Sequence, residues 1–209
     1  MENNAKARII EAALKLFRKQ GFYQVSVRNI VEQAKISNGG FYHHFKSKDE
    51  LLYFINDQIM SHVIAEGQKA IENYENPVEQ LRGLILSFVR AFDKYNLEVT
   101  IMYQESHYLV GEYEEKIREK RNQYEKMYNT VLIEGVKAKV FRSDLPLKIT
   151  GFMIFGQVNW TYKWYEAKKP LTIDEIADIY INFVFSALLT DRAKEIYSQY
   201  ISPVEQKAT

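Results

Sequence analysis

The stretch SVRNIVEQAKISNGGFYHHFKSKDELL, residues 26–52, decides the fold. Ser26 is a favourable N-cap for a short helix, and Ser37 is placed to cap a second helix of barely two turns. Ser47 and Glu50 form a capping box at the start of a much longer helix. Two short helices joined by a tight turn have the spacing of a helix-turn-helix, although corners of other helical proteins share that spacing.

The rest of the chain shows helical periodicity as well. Apolar residues recur at helical spacing from about residue 5 to 20, and Gly21 follows as a helix stop. An N-cap and a proline at 76–77 begin another helix. Further long helices are expected at 112–139, 148–167 and 172–189. Because no run alternates apolar and polar residues for the length of a strand, we predict an all-α fold of about nine helices.

The charge is divided unevenly along the chain. The net charge is only +1, but residues 1–48 carry nine lysine or arginine residues against three acidic ones, and the remainder carries 19 against 24. A basic first quarter indicates a polyanionic partner, and a solvated helical surface is the alternative.

Three short helices bury too little surface to fold well alone, so the fourth helix must pack against them. We predict two domains, 1–50 and 51–209.

Composition excludes several function classes. Apolar residues at 46% and charged residues at 26% are ordinary for a globular protein. The absence of cysteine fits a cytoplasmic protein, and no uncharged run is long enough for a membrane helix. Only four histidines occur, and the HExxH, P-loop, GxGxxG and GxSxG motifs are absent. We therefore predict a protein that is not an enzyme and has no cofactor or metal site.

Eight positions at fixed spacing give the helix-turn-helix its identity. The pattern Ser-x-Gly-x-x-Tyr-x-(Tyr/His)-Phe-x-(Ser/Asn)-Lys-x-x-Leu resembles the DNA-binding signature of the TetR family of bacterial transcriptional regulators. Here it consists of Ser37, Gly39, Tyr42, His44, Phe45, Ser47, Lys48 and Leu51. The resemblance covers roughly residues 5–55. It implies that double-stranded DNA is the polyanionic partner.

The residue types suit that partner chemically. Hydroxyls and free amides at helix N-termini can hold phosphate oxygens, glycine lets a helix approach base edges closely, and Asn and Arg bind base edges in two-point contacts. Phe45 is expected in the core, and His44 is expected to be structural. The predicted DNA contacts are Ser26, Arg28, Lys35, Ser37, Asn38, Gly39, Gly40, Tyr42, His43, Lys46 and Lys48.

Lys35 departs from the family pattern. The family usually has glycine in the turn between these two helices, where the backbone is left-handed. This chain has Lys35 there, or an equivalent turn that is built differently. A residue with a side chain costs on the order of 1 kcal/mol in that conformation. We expect Lys35 to offset this cost by reaching a phosphate.

By resemblance, the other three quarters of the chain bind a small-molecule effector and form a homodimer through the last two long helices. Gly151 and Gly156 would permit close helix approach. The alternative is that these faces pack only within one chain. A dimer would present two recognition helices to successive major grooves of a palindromic operator, about 34–36 Å apart.

Aromatic residues are unusually frequent in the central helices. The segment FGQVNWTYKWYEAKKPLTIDEIA, residues 155–177, resembles the second-to-last helix of family members that respond to acyl-CoA thioesters. An apolar cavity with a few polar anchors is typical of small-molecule sites, although aromatic stripes are more often core. The predicted effector residues are Tyr103, Gln104, His107, Tyr128, Phe152, Phe155, Asn159, Trp160 and Lys163.

Two effector classes stay open at this point. An acyl-CoA or fatty-acid-like molecule is favoured, and the phosphates of CoA would need a basic group such as Arg82, Arg90, Lys163 or Lys168. A cationic multidrug-type ligand could instead bind aromatic rings with Glu98 and Glu105. We predict a repressor that the effector releases from its operator by shifting populations, with the fourth helix linking the domains. A helical interaction protein without DNA binding is the alternative of another class.

Overall fold

The computed structural model describes residues 2–166 and 170–201 and is all-α, which confirms the predicted fold class. The described helices are α1 (Glu2–Gln20), α2 (Val27–Ala34), α3 (Asn38–His44), α4 (Lys48–Asn73), α5 (Pro77–Lys94), α6 (Asn96–Glu105), α7 (Glu112–Lys137), α8 (Leu147–Asn159), α9 (Thr161–Trp164), α10 (Ile173–Leu188) and α11 (Asp191–Ile196). Short 3-10 turns lie at Ser106–Tyr108 and Ser198–Tyr200. Over the same described residues, β pairing is limited to an isolated antiparallel bridge between Phe141 and Leu189.

The chain forms two compact units. The first, here called the head, contains the described residues up to Ser61 together with Tyr95–Lys120. The second, here called the body, contains His62–Lys94 and the described residues from Arg121 onward. Helices α4 and α7 contribute residues to both units. This division differs from the predicted domains, because half of α4 and all of α6 belong to the head.

The short helices of the head begin where the sequence indicates. The Ser26 hydroxyl accepts a hydrogen bond from the Asn29 amide at 3.2 Å, and the Asn29 side chain accepts one from the Ser26 amide at 2.9 Å. At the start of α3, the Ser37 hydroxyl accepts from the Gly40 amide at 3.1 Å. Each cap satisfies an amide that has no partner within its helix.

The longer helices also start at the expected caps. Thr172 and Glu175 form a complete capping box at the start of α10. At α4 the box is altered: the Ser47 hydroxyl accepts from the Glu50 amide at 3.0 Å, while the Glu50 carboxylate accepts from the amide of Lys46. The carboxylate thus reaches one residue further back than a capping box requires.

The two units have separate apolar cores. In the head, α1 packs on α2, α3 and α6, and in the body α5 packs on α8, α9 and α10. Fully buried side chains in the head include Ile9, Phe17, Ile30, Phe41, Leu51, Leu52 and Ile55. Those in the body include Leu81, Leu84, Ile85, Phe141 and Phe185.

The helix predicted over 148–167 is interrupted. α8 ends at Asn159 and α9 starts at Thr161, while Ala167 lies outside the described residues. At the break the Lys163 amide donates to the Trp160 carbonyl at 3.0 Å, an i to i+3 bond that tightens the turn. The buried Thr161 hydroxyl lies 2.9 Å from the Tyr180 hydroxyl of α10. A tertiary hydrogen bond thus accompanies the break, and helical periodicity does not contain that information.

The described residues contain neither a candidate membrane helix nor a candidate metal site. Among these helices, none combines the length and the apolar character that crossing a membrane requires. No group of three His, Cys, Asp or Glu side chains within the described ranges is arranged to hold a metal ion.

Candidate nucleic-acid interface and effector site

Helices α2 and α3 present polar and aromatic side chains to solvent. The side chain of Arg28 is 83% exposed and donates to Glu32 on the same helix at 2.9 Å. Tyr42 is 56% exposed, and Asn38 and His43 are exposed beside it on α3. The structure therefore brings the residues predicted for base contacts, Arg28, Asn38 and His43, to the surface of adjacent helices. Whether they contact DNA stays a prediction.

The glycines of α3 are not required by packing within the chain. A Cβ atom added to Gly39 would meet only the Ser37 hydroxyl, at 3.8 Å, and one added to Gly40 would meet that hydroxyl at 3.5 Å. Both distances are ordinary van der Waals contacts. Gly135 differs, because a Cβ atom there would lie 1.9 Å from the ring of Phe141. Packing explains the glycine at Gly135 but not those at Gly39 and Gly40.

The hydroxyls predicted to hold phosphates serve as caps. Ser26 Oγ donates to the Asn29 side chain at 2.6 Å in addition to accepting the Asn29 amide. Ser37 Oγ accepts the Gly40 amide. Because the first amides of a helix have no partner within it, phosphate binding at these two helix starts would fall to the backbone amides.

The lysines predicted to contact DNA differ in environment. Lys46 is exposed, and so is Lys35, whose backbone is left-handed with φ 53° and ψ 52° as the sequence indicates. Lys48 is half-buried, and its ammonium donates to the carbonyls of Phe22 at 2.8 Å and Val25 at 2.7 Å. Partial burial lowers the pKa of the Lys48 ammonium. Two of its three donors are thus used inside the head.

Phe45 and His44 lie where the sequence predicts. Phe45 is 2% exposed, and its ring centroid is 6.0 Å from that of Phe41 and 5.5 Å from that of Phe54. These contacts join α3 to α4. His44 is half-buried beside them.

Two of the predicted effector residues lie together in the body. The rings of Tyr128 and Phe155 stack at 4.2 Å, and both residues are buried. Burial raises the pKa of the Tyr128 hydroxyl to about 12. Phe88 and Tyr124 complete an aromatic cluster with them, with the rings of Phe88 and Tyr124 5.3 Å apart. The cluster is defined by Phe88, Tyr124, Tyr128 and Phe155.

The other predicted effector residues are dispersed. Phe152 and Trp160 are 46% and 60% exposed. Asn159 is half-buried, and the exposed Lys163 places its ammonium 5.2 Å from the ring centroid of Tyr162. The remaining three, Tyr103, Gln104 and His107, belong to the head rather than the body. Their role in effector binding stays a prediction.

Sequence reasoning did not assign Phe88 or Tyr124 to the candidate effector site. A signal was available, because Phe88 lies on the apolar face of α5 and Tyr124 lies one helical turn before Tyr128 on α7. Periodicity indicates which face of a helix is apolar, but not which helix covers it. Arg8 was also overlooked; its guanidinium donates to the Lys35 carbonyl at 2.6 Å.

Two family profiles match the chain. The profile described as "Bacterial regulatory proteins, tetR family" matches residues 9–53, which include α2 and α3. The profile described as "Tetracyclin repressor-like, C-terminal domain" matches residues 74–188, more than half of the chain.

Proteins of similar sequence are named as transcriptional or metabolic regulators. The HTH-type transcriptional repressor KstR2 of Mycobacterium tuberculosis is 27% identical over 188 residues, which cover 89% of this chain and 94% of that protein. Its solved structure, that of a ketosteroid transcriptional regulator, aligns with a TM-score of 0.82 at 26% identity over 89% of this chain and 95% of that one. The fatty acid metabolism regulator protein of Bacillus subtilis is 26% identical over 155 residues, which cover 73% of this chain and 79% of that protein.

A further structural likeness concerns the fold alone. The structure of AibR in complex with isovaleryl coenzyme A and operator DNA aligns with a TM-score of 0.76 at 24% identity, over 88% of this chain and 99% of that one.

The two family profiles and the likeness to KstR2 agree with the helix-turn-helix geometry of α2 and α3. The chain therefore belongs to the TetR family of bacterial transcriptional regulators and is a DNA-binding regulator rather than an enzyme.

Proposed function

We propose that this regulator is a cytoplasmic repressor that binds a palindromic operator as a homodimer and is released by a small apolar effector. An acyl-CoA or fatty-acid-like molecule is the favoured effector. The functional division is a DNA-binding domain over residues 1–50 and an effector-binding and dimerisation domain over 51–209.

The proposed DNA contacts follow from exposure and chemistry. Helix α3 enters the major groove, where Arg28, Asn38 and His43 meet base edges. Backbone amides in the first turns of α2 and α3, which follow Ser26 and Ser37, contact phosphates together with the hydroxyl of Tyr42 and the exposed ammonium groups. The phosphate set is Ser26, Lys35, Ser37, Tyr42 and Lys46. Lys48, predicted with them, already donates to two carbonyls inside the head.

The observation that carries the DNA proposal is the unexplained pair of glycines in α3. Gly39 and Gly40 lie in the first turn of α3, and glycine is a poorer helix former than alanine by up to about 1 kcal/mol. Because the described residues leave room for a Cβ atom at Gly39 and at Gly40, with ordinary contacts only, an external surface is the best reason for the two glycines. Close approach of the α3 backbone to base edges supplies that reason.

The test is the substitution Gly39→Ala. We expect unfolding to need about 0.5–1 kcal/mol more free energy, because alanine is the better helix former. We expect operator binding to weaken about tenfold or more, because the new methyl group separates α3 from the bases. Unfolding by urea and anisotropy of a labelled operator measure the two effects. Unchanged operator affinity would remove the proposed groove contact at α3.

The homodimer proposal rests on an uncovered apolar face. Helices α8, α9 and α10 pack on α5 with one side and expose large apolar side chains on the other. Soluble monomers rarely expose apolar patches of this kind, and a second copy of the chain would cover this one. The exposed residues are Ile149, Phe152, Met153, Trp160, Trp164, Ile179 and Phe183.

Of the two glycines of α8, Gly156 supports the same proposal and Gly151 does not. A Cβ atom at Gly151 would lie 2.5 Å from the ring of Tyr128, so packing within the body accounts for this glycine. At Gly156 a Cβ atom would meet nothing within 4 Å. Gly156 is exposed on α8 and leaves room for close approach of a partner helix.

The effector proposal rests on the aromatic cluster and on the relatives. Phe88, Tyr124, Tyr128 and Phe155 give the body an apolar, aromatic centre suited to an acyl chain or a comparable hydrocarbon. The relatives regulate fatty acid metabolism in one case and are named for ketosteroids in another, and AibR was solved with isovaleryl coenzyme A. Fatty acids, ketosteroids and the isovaleryl group each have an apolar portion.

A CoA thioester also needs a cationic group for its phosphates. Arg90 donates to both carboxylate oxygens of Asp174, at 2.8 and 3.1 Å, so its charge is already balanced. Arg82 lies 5.1 Å from the ring centroid of Tyr200, and its Nε atom is buried without a hydrogen-bond partner. Lys163 is exposed, and Lys168 lies outside the described residues. We favour Arg82 and Lys163 for this role.

The effector class is tested by titrating the operator complex. Branched, medium and long acyl-CoA thioesters, free CoA, free fatty acids and a cationic dye are added in separate experiments. We expect an acyl-CoA to raise the operator Kd, and free CoA to leave it unchanged, because the acyl chain supplies the differential affinity. Release by fatty acids alone would select the other apolar class. Release by the dye alone would contradict an apolar effector.

A further inference from the structure

Two cations of the head bind backbone carbonyls at opposite ends of α2. Before the helix, Lys48 of α4 donates to the carbonyls of Phe22 at 2.8 Å and Val25 at 2.7 Å. After the helix, Arg8 of α1 donates to the carbonyl of Lys35, the C-cap residue of α2, at 2.6 Å. Charge-assisted hydrogen bonds therefore connect the two ends of α2 to α1 and α4.

The contact at the start of α2 is supported by packing. The Lys48 ammonium lies 4.2 Å from the ring centroid of Phe22, which is 4% exposed. The ring of Phe22 in turn contacts those of Phe17 at 5.2 Å and Tyr108 at 5.4 Å. Lys48 thus binds a segment that is itself anchored in the core of the head.

The contact at the end of α2 acts on a strained residue. Lys35 has φ 53°, a conformation that costs a residue with a side chain on the order of 1 kcal/mol. In that conformation its carbonyl points toward Arg8 of α1 and accepts a hydrogen bond. The same turn connects α2 to α3, so its geometry sets the position of α3.

We propose that Lys48 and Arg8 are positioning residues for DNA binding, which fix α2 and the following turn in place by binding carbonyls at the two ends of the helix. They act through α2 and α3 rather than through a phosphate. The inference depends on DNA binding by the helix-turn-helix, and it assigns to Lys48 a different main role from the phosphate contact suggested by the family signature.

Salt dependence separates positioning from phosphate contact. Each phosphate neutralised by a cation contributes about 0.9 to the slope of log K against log salt concentration. The variants Lys48→Met and Arg8→Met are compared with Lys46→Met, which removes an exposed cation of the same segment. Operator affinity is measured by anisotropy over about 50–200 mM salt. Stoichiometric titration gives the active fraction, and thermal unfolding gives the stability.

We expect Lys48→Met and Arg8→Met each to weaken operator binding of the active fraction about tenfold, because charge-assisted hydrogen bonds are lost. We expect the salt slope of both variants to equal that of the wild type, while Lys46→Met lowers it by about 0.9. A slope lowered by about 0.9 in Lys48→Met and Arg8→Met would overturn the proposal in favour of phosphate contacts.

Unchanged affinity of the active fraction with reduced stability would also overturn it, since the contacts would then be structural only. Arg8 lies on the exposed side of α1, so its variant keeps the test decisive if Lys48→Met does not fold. Failure of the wild type to bind any operator would count against the proposed function instead.

Discussion

Lys35 combines a left-handed backbone with a proposed phosphate contact. Its left-handed backbone, with φ 53°, is the conformation in which glycine has no steric cost. We expect Lys35→Gly to raise the free energy of unfolding by about 0.5–1 kcal/mol, because the strain of the side chain disappears. Chemical denaturation of the purified protein measures this change.

The matched control is Lys35→Ala, which removes the same charge but keeps the Cβ atom. Because alanine is strained in the same way, we expect no gain in stability from this variant. Equal stabilisation by both substitutions would show that charge, and not backbone strain, is the cost at this position.

The buried hydroxyl of Tyr128 should make the free energy of unfolding depend on pH in the alkaline range. Burial raises the pKa of its hydroxyl in the folded state from 10 to about 12. The neutral form is thus favoured by folding, so the contribution of this group to stability is fully present below about pH 10 and is lost as the pH rises toward 12. We expect Tyr128→Phe to lose less stability than the wild type over this range.

Thermal unfolding from neutral to alkaline pH measures the difference between the two proteins. Tyr42→Phe serves as the control, because Tyr42 is 56% exposed. Parallel stability curves for the wild type and Tyr128→Phe would contradict the assignment of the buried hydroxyl.

At the scale of elements, the end of α7 depends on Gly135. The chain reverses at Lys139, with φ 59°, and places the buried ring of Phe141 against Gly135. Phe141 then forms the bridge with Leu189 that joins this segment to the end of α10. This arrangement requires that residue 135 has no Cβ atom.

We expect Gly135→Ala to destabilise the protein by about 1–3 kcal/mol, because its methyl group would overlap the Phe141 ring. Urea denaturation measures the loss, and Gly39→Ala provides a helix glycine with open space as the control. A stabilised Gly135→Ala variant would indicate that the segment after α7 packs differently.

The helix starts were the most predictable feature, because their determinants are local. Ser26, Ser37 and Thr172 cap helices through bonds that span three residues, and the sequence shows all the partners. The break after Asn159 was not predicted. It coincides with the contact between Thr161 and Tyr180, which lie on different helices.

In the candidate sites, too, local features could be predicted from the sequence, and contacts between distant residues could not. The exposure of Arg28 and Tyr42 follows from the apolar face of short helices, and the left-handed turn at Lys35 follows from a motif. The partners of Lys48 could not be inferred, because Phe22 and Val25 are more than 20 residues away in sequence. The stacking of Tyr128 on Phe155 could not be inferred either, because the two residues lie on different helices. Helical periodicity indicates an apolar face on each helix but not that the two faces meet.

On the scale of the whole molecule, the proposed homodimer is the most direct explanation of the exposed apolar face. Phe183 is 65% exposed on α10. We expect Phe183→Glu to convert the dimer to a monomer, because a charge in an apolar interface is costly to desolvate. Light scattering after size-exclusion chromatography measures the mass. Val110→Glu is the control, since Val110 is 68% exposed but belongs to the head. An unchanged mass for Phe183→Glu would argue against this interface.

The charge distribution favours one end of the head as the DNA-binding surface. The head as a whole carries twelve basic and twelve acidic residues and so no net charge, whereas residues 1–48 carry nine basic residues against three acidic ones. The acidic residues lie on α4, α6 and the start of α7 as well as on α1 and α2. Phosphates would therefore be attracted to the side formed by the helix-turn-helix.

Hydroxyl-radical footprinting of the operator tests the central claim most directly. We predict two protected segments whose centres lie about 34–36 Å apart, or a multiple of that distance, with two chains bound per operator. With Gly39→Ala, both segments should become protected together at about tenfold higher protein concentration. A single protected segment with one chain bound, or protection that is indifferent to sequence, would contradict the account of a dimer that places two α3 helices in successive major grooves.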